Sequence, residues 1–178
     1  MAEVNFKFID PELVDIVALD IGVEHTGLFY KGEDRKFVAQ IENDEHREAF
    51  KPYHMSSLII EKIMDIPDRR KVLLVVEDYS FGRSFFNMLQ PEIFGSLKSF
   101  VIAFGEEFVG AALLAPSTIK KHVAGKGKAT KSEMKKAVKS LGYKVSSSHE
   151  ADAISAYLTY MKVWDGMTEG TYRRSFIL

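Results

Sequence analysis

Residues 15–22 read DIVALDIG, a run of apolar residues that is closed by an aspartate, Asp20, and a following Ile-Gly. Four consecutive apolar residues leave no polar face, so the run predicts a strand buried on both sides of a sheet. A second run of this kind, VLLVVE at residues 72–77, ends in Glu77. Open α/β sheets bind their ligands at the C-terminal ends of their strands. The sequence therefore places two carboxylates where a site is expected.

A histidine and an aspartate, His149 and Asp152, lie three residues apart in the segment HEADAISA at residues 149–156. The segment predicts a helix, and this spacing puts both side chains on one face. Oxygen ligands with one imidazole suit Mg²⁺ or Mn²⁺, and buried carboxylates without a cation repel each other. Together with Asp20 and Glu77, the pair forms a candidate metal site that is assembled from distant parts of the chain.

Each of these residues also has an ordinary structural explanation. Asp20, two residues before a glycine, is typical of a turn or a cap, and Glu77 alone is typical of an exposed strand end. His149 and Asp152 are compatible with the first turn of a helix, where an acid interacts favourably with the helix dipole. The combination of the four residues favours a metal site.

Length and composition are those of one globular domain. The chain has 178 residues, 46% of them hydrophobic and 12% aromatic, enough to bury a core without cross-links. It has no cysteine, which excludes disulfides and zinc–thiolate sites. We expect a single domain over residues 1–178, with residues 1–13 as a short N-terminal extension. No signal peptide or membrane-spanning run is recognisable, so we expect a soluble, intracellular protein without a membrane partner.

The hydrophobic pattern predicts the element order β, β, β, α, β, α, β, α, α, α. The strands are predicted at residues 14–20, 26–31, 36–42, 71–77 and 108–115. Gly22 and Gly27 bracket the first turn and a Lys-Gly-Glu-Asp turn follows, so the first three strands are expected to be antiparallel. A helix separates the last two strands, as parallel strands require. The sequence thus predicts an α/β fold with a five-stranded mixed sheet flanked by helices.

Positive charge is concentrated in residues 117–144, where nine lysines and one acid give a net charge of +8, against −1 for the whole chain. Such a block is typical of a local phosphate-binding surface, and a solvated lysine-rich helix is the alternative. Residues 125–128 read GKGK and precede a helix that is predicted to start near Lys131 or Ser132. Backbone amides and ammonium groups could close on a phosphate at this loop.

The segment after the fourth strand, residues 78–89, reads DYSFGRSFFNML and is unusually aromatic for a loop or irregular helix. Such rings suit stacking on unpaired bases, and Arg83 is a candidate phosphate contact. Anchoring to the core is the alternative for Phe85, Phe86 and Leu89.

These motifs, in this order, resemble those of the RuvC-family Holliday junction resolvases, a branch of the ribonuclease H-like nucleases that includes phage and viral members. The resemblance runs from about residue 15 to residue 160. The residues that carry it are Asp20 with Gly22, Glu77, Lys120 and Lys131 around the turn at 123–127, and His149 with Asp152. Each motif alone is common, whereas the four together are specific.

The resemblance implies a ribonuclease H-like fold and a crossover junction endodeoxyribonuclease that resolves four-way or branched DNA. Paired symmetric nicks would leave 5′ phosphates, with two Mg²⁺ ions, or Mn²⁺ as a substitute, in each active site. Asp20, Glu77, Asp152 and His149 would hold these ions, although His149 could instead transfer a proton.

Further residues gain expected roles from the same resemblance. Lys120 and Lys131 would neutralise phosphates beside the cut and stabilise charge during the reaction. Tyr79 or Phe81 would enter the junction. The remaining basic candidates for DNA contacts are Lys121, Lys126, Lys128 and Arg83.

Two symmetric nicks imply a two-fold homodimer. A predicted helix at about residues 91–104 carries an apolar stripe that is either all core or partly a dimer interface. Two rival functions are a ribonuclease H-like nuclease of another branch, acting on RNA:DNA hybrids or flaps, and a non-catalytic branched-DNA binding module. The protein would act in the cytoplasm, or in the infected host cell or organelle where recombination occurs.

Overall fold

The computed structural model describes residues 9–78 and 85–167. For residues 85–88 and 166–167 it describes the backbone alone. Within these ranges, none of the helices combines the length and the apolar character that a membrane crossing requires. Residues 1–8, most of the predicted N-terminal extension, lie outside the described part of the chain.

A five-stranded mixed sheet forms the centre of the fold, in the strand order β3-β2-β1-β4-β5. The strands are β1 (Asp15–Asp20), β2 (His25–Lys31), β3 (Lys36–Glu42), β4 (Val72–Glu77) and β5 (Phe108–Leu114). The first three strands pair antiparallel, whereas β4 pairs parallel with β1 and β5. The predicted fold class and strand positions are confirmed.

Helices cover both faces of the sheet. They are α1 (Lys51–Met64), α2 (Phe85–Ala103), α3 (Pro116–Ala124), α4 (Lys131–Ser140) and α5 (Ser148–Met167). One core cluster joins α1 and α2 to one face, and a second cluster joins α3, α4 and α5 to the other. The predicted element order is therefore correct, with a single 3₁₀ turn at Glu48–Phe50 in addition.

Burial on both faces explains the continuous apolar runs of the two central strands. Along β1, Val17 and Leu19 belong to the α1–α2 core, whereas Ile16 and Ala18 belong to the opposite core. The strand β4 alternates in the same way and is buried from Val72 to Val76. Both strands are buried up to their last residue. Their terminal carboxylates, Asp20 and Glu77, therefore lie at the C-terminal ends of the strands, where burial becomes incomplete.

Gly27 lies inside β2, within the strand predicted at residues 26–31, and pairs with Asp20 of β1. One sequence prediction needs correction. The helix predicted from residue 91 begins at Phe85 and contains Pro91. Proline is most compatible with the first turn of a helix, which favours a start at Pro91. The observed helix starts six residues earlier. The buried side chain of Leu89 extends the apolar stripe ahead of the proline.

The apolar stripe of α2 is largely core. Its buried members are Ile93, Phe94, Leu97 and Val101. Phe100 is partly buried, and its ring stacks on that of Phe104, which is 42% exposed. Ile102 beside them is 72% exposed. The C-terminal end of α2 therefore presents apolar surface that the described core does not cover.

A buried acid fixes the other end of the sheet. Asp15, 2% exposed, accepts hydrogen bonds from the Tyr30 hydroxyl at 2.6 Å and from the backbone N and Nε of Arg70 at 3.0 and 2.9 Å. Burial raises the pKa of Asp15, but the hydrogen bonds from Tyr30 and Arg70 outweigh it and the net pKa is lowered. These bonds tie the start of β1 to the end of β2 and to the residues before β4.

We predict that Asp15→Ala lowers the free energy of unfolding by ~3 kcal/mol, because it leaves the Arg70 guanidinium and the Tyr30 hydroxyl without their shared acceptor. Urea denaturation at neutral pH measures this loss. Tyr30→Phe, which removes one donor and leaves the ion pair, is the matched control and should cost ~1 kcal/mol. A loss no larger for Asp15→Ala than for Tyr30→Phe would contradict the structural role of the acid.

Candidate active site

A pocket of about 240 Å³ opens where β1 and β4 end. Asp20 is the last residue of β1 and Glu77 is the last residue of β4. Because the two strands are adjacent and parallel, their terminal carboxylates enter the same space. Five of the residues singled out from the sequence line this pocket: Asp20, Glu77, Asp152, Lys120 and Lys131.

The first turn of α5 brings the second half of the acid set to the sheet. The Nδ1 atom of His149 lies 2.7 Å from Oδ2 of Asp20, across 129 positions of sequence. This hydrogen bond raises the pKa of His149, against the smaller effect of burial. Asp152, one turn further along the helix, lines the pocket beside Asp20. The two residues therefore meet the sheet from one helix face.

The start of α5 is held by a buried acid that sequence analysis did not single out. Glu150, 8% exposed, accepts hydrogen bonds through Oε2 from the backbone N and Oγ of Ser146 at 2.6 and 2.8 Å. The Ser147 hydroxyl in turn accepts from the Glu150 backbone N at 3.1 Å. Burial raises the pKa of Glu150, but the serine donors outweigh it and the net pKa is lowered. A Ser-x-x-Glu spacing is the sequence signal for such a cap.

The acids of the pocket resist ionisation together. Burial, followed by the charges of Asp20 and Asp152, raises the pKa of Glu77 to about 7. Burial, followed by the charge of Asp20, raises the pKa of Asp152 to about 6. Lys120 and Lys131 lower both values without cancelling the rise. Burial and mutual repulsion therefore outweigh the two lysines and favour the protonated forms of these carboxyl groups.

The donor chemistry of the pocket fits a divalent cation. Among the described residues, no three His, Asp or Glu side chains already stand as a cation-coordinating group. The carboxylates nevertheless share one pocket, and a bound cation would offset the burial and mutual repulsion that raise their pKa values. Oxygen donors suit Mg²⁺ or Mn²⁺. Because Nδ1 of His149 is bonded to Asp20, only Nε2 is free to bind a metal.

The predicted lysines separate into three groups. Lys120 in α3 and Lys131 at the start of α4 line the pocket. Lys121 and Lys128 are exposed outside its lining. Lys126 pairs with Glu133 at 2.5 Å.

The loop at residues 125–128 differs from the phosphate-binding arrangement that its sequence suggests. The Glu133 carboxylate accepts from the Thr130 backbone N at 2.8 Å and from the Lys126 ammonium, while the Thr130 hydroxyl accepts from the Glu133 backbone N. These contacts form a capping box for α4. The Glu133 carboxylate thus occupies the Lys126 ammonium and the Thr130 backbone N, two donors that could otherwise bind a phosphate.

Besides Glu150, sequence analysis missed four residues at or beside the site. Asp78 and Gln90 line the pocket, and Gln90 donates from Nε2 to the Ile21 carbonyl at 2.8 Å. The ring of His25 lies 5.9 Å from that of His149, measured between centroids. Gly27 contacts α5 directly. Only Asp78 had a signal, its position next to Glu77.

The residues predicted to enter the junction, Tyr79 and Phe81, lie outside the described part of the chain, as does Arg83. Their positions relative to the pocket stay predictions. Among the described residues around them in the chain, Asp78 and Gln90 line the pocket.

No protein-family model matches the sequence, and no curated protein sequence matches it. Solved structures do match. RuvC of T. thermophilus in complex with a Holliday junction substrate superposes with a TM-score of 0.67 at 19% identity, over 93% of this chain and 99% of that one. The fold is that of the RuvC resolvases.

Two further RuvC-like structures agree. A second structure of Thermus thermophilus RuvC gives a TM-score of 0.64 at 21% identity, over 92% of this chain and 99% of that chain. The yeast mitochondrial Holliday junction resolvase Ydc2 gives 0.59 at 12% identity, over 87% of this chain and 80% of its own. The RuvC-like architecture that the motifs indicated is therefore present over nearly the whole chain.

The pocket acids should make stability depend on pH and on divalent cations. Glu77 and Asp152 have folded-state pKa values of about 7 and about 6, above the ordinary 4.5 and 3.8. The unfolded chain therefore loses these protons first, and metal-free protein should lose stability as pH rises from about 4 to about 7. Mg²⁺ should raise Tm by ~5 °C near pH 8 and by much less near pH 5.

Calorimetry with and without Mg²⁺ at both pH values measures this effect. Glu77→Gln is the control, because it removes one of the repelling charges. The variant should melt higher than the natural protein in the absence of metal near pH 8, and gain less from Mg²⁺. An equal Mg²⁺ shift near pH 5 and pH 8 would show that the acids do not bind the cation.

Proposed function

We propose that the chain is a structure-selective endonuclease that resolves Holliday junctions and related branched DNA. The observation that carries the proposal is the convergence of Asp20, Glu77 and Asp152 with Lys120 and Lys131 in one pocket. The fold around the pocket is shared with a RuvC structure that is in complex with a Holliday junction substrate. An acid pocket flanked by a basic surface is suited to hydrolysis of a phosphodiester in DNA.

The acids would act as ligands of two Mg²⁺ ions, with Mn²⁺ as a substitute. Bound there, the two ions would activate the attacking water and stabilise the leaving 3′ oxygen, which yields 5′ phosphates. Asp20 raises the pKa of Glu77 and of Asp152 alike. This position supports Asp20 as a residue that would help to hold the ions, together with Glu77 and Asp152.

His149 has two compatible roles through Nε2, as a ligand or as a proton-transfer group. Its Nδ1 bond to Asp20 orients both side chains in either case. Lys131 would stabilise the charge that develops on the phosphate, because it reaches the pocket from the N-terminus of α4.

The wider DNA contacts follow from position and charge. Lys120 would bind a phosphate beside the cut, and the exposed Lys121 and Lys128 would bind phosphates further away. Lys126 would contribute only in part, since Glu133 already pairs with it. The expected contacts of Tyr79, Phe81 and Arg83 complete this set.

We further propose a homodimer, since two symmetric nicks need two sites of opposite orientation. The exposed apolar end of α2, with Ile102 and Phe104, is surface that a second copy could cover.

The substrate test compares the natural protein with Asp20→Asn on a mobile four-way junction, a flap and an RNA:DNA hybrid, each with Mg²⁺. We expect paired symmetric nicks in the junction, and a loss of at least ~10³-fold in cutting for Asp20→Asn with junction binding within ~3-fold. Equal cutting of the hybrid or the flap would favour a ribonuclease H-like nuclease of another branch. Junction binding without any cutting would favour a binding module.

Lys131→Ala tests the role of the lysine at the pocket. Cutting should fall ~10–100-fold at saturating junction, while the Kd for the junction changes by less than ~3-fold. Lys128→Ala is the matched control, because Lys128 is exposed and lies outside the pocket lining. There, cutting measured below saturation and binding should weaken in equal proportion. The same proportional pattern in Lys131→Ala would refute a role for Lys131 in the chemical step.

A further inference from the structure

The helix α5 approaches the sheet closely at Gly27, the residue that pairs with Asp20 of the pocket. A Cβ atom placed on Gly27 would lie 1.9 Å from the carbonyl oxygen of His149, 2.3 Å from its carbonyl carbon and 3.1 Å from the backbone N of Glu150. All three are main-chain atoms of the first turn of α5. Backbone thus packs on backbone here, and only glycine leaves room for the contact.

The register of the sheet makes this contact relevant to the acids. Gly27 is the residue of β2 that pairs with Asp20 of β1. The helix turn that rests on Gly27 is the turn whose His149 side chain bonds to Asp20 at 2.7 Å. The absent side chain of Gly27 therefore sets the separation across which that hydrogen bond forms.

The next residue on the same face of β2 shows the reverse arrangement. The ring of Phe29 lies between the sheet and the middle of α5, with its centroid 4.9 Å from that of Tyr157. Side chains of i and i+2 in a strand share a face, so α5 meets bare backbone at Gly27 and an aromatic ring at Phe29. This difference brings the N-terminal end of α5 close to the sheet and so directs it into the pocket.

The cap that Glu150 forms with Ser146 and Ser147 holds the same turn at its start. Glu150, which follows His149, accepts from Ser146 and Ser147, and its own backbone N donates to Ser147. The turn that carries His149 is thus fixed at two places, against the sheet by Gly27 and at its start by Glu150.

We propose that Gly27 and Glu150 are positioning residues that hold His149 and Asp152 in register with Asp20. Neither residue lines the pocket. They act through the placement of α5, and their catalytic meaning rests on the proposed nuclease function. A side chain at Gly27 would need a displacement of about 1.5 Å to restore an ordinary carbon–oxygen contact. A shift of that size breaks the bond to Asp20, and misplacement of about 1 Å costs ~10²-fold in rate.

The experiment compares Gly27→Ala with Gly95→Ala. Gly95 lies in α2, and a Cβ atom there would meet nothing within 4 Å. The first readout is the NMR signal of the His149 ring N–H, which a hydrogen bond to Asp20 moves downfield, in metal-free protein. The second is the Kd for Mn²⁺ by electron paramagnetic resonance. The third is kcat and KM for the junction.

Gly27→Ala should lose the downfield His149 signal, bind Mn²⁺ ~10-fold more weakly or worse, and lower kcat ~10²-fold with KM within ~3-fold. Gly95→Ala should match the natural protein in all three. A folded Gly27→Ala that keeps the signal and the Mn²⁺ affinity would overturn the proposal, even if its Tm is lower. The signal and the Mn²⁺ affinity test positioning whether or not the protein cuts junctions, so failure of the proposed function is seen separately.

A second pair of variants decides the matter if Gly27→Ala does not fold. Glu150→Gln keeps a side-chain acceptor for the serine cap, whereas Glu150→Ala removes it. We expect Glu150→Gln to retain the His149 signal and most of the Mn²⁺ affinity, and Glu150→Ala to lose both. Equal retention in the two variants would refute the role of the cap, and equal loss would show that the carboxylate charge, rather than helix placement, is responsible.

Discussion

The 2.7 Å hydrogen bond between Asp20 and His149 joins the end of the first strand to the start of the last helix. Asp20, one partner of this bond, lines the pocket. The parallel pairing of β1 and β4 brings Glu77 beside Asp20, and the helical turn after His149 brings Asp152 there. Buried acids in one pocket repel one another. The lysines of α3 and α4, and for Asp152 also the His149 imidazole, offset part of this repulsion. The site is thus a property of the tertiary fold.

The two ends of β1 show how the same residue type serves stability or function. At the start, Asp15 receives donors from Tyr30 and Arg70, and its pKa is lowered. At the end, Asp20 stands among acids, and burial with charge repulsion raises the pKa of Glu77 to about 7. The first acid is fully partnered and stabilises the sheet, whereas the acids at the other end are buried beside one another in one pocket. Carboxyl groups with perturbed pKa values that share a pocket indicate a functional site.

Much of this arrangement could be predicted from sequence, because its signals are local. Strands buried on both faces read as unbroken apolar runs, so their terminal acids are visible in the printed chain, as is the His149–Asp152 spacing. The remainder depends on contacts between distant segments. The packing of α5 on Gly27 and the burial of Leu89 ahead of Pro91 are visible only in the folded chain. The pairing of Lys126 with Glu133 likewise depends on the folded cap of α4, which brings the two side chains together.

The bond from His149 to Asp20 also limits what the histidine can do. A carboxylate can only accept, so Nδ1 carries the proton of the bond and Nε2 is left with the lone pair whenever the ring is neutral. Asp20 raises the pKa of the ring and so favours the charged form, in which Nε2 can only donate. His149 would therefore present a lone pair at Nε2 only in its neutral form, whether it serves as a metal ligand or as a proton acceptor.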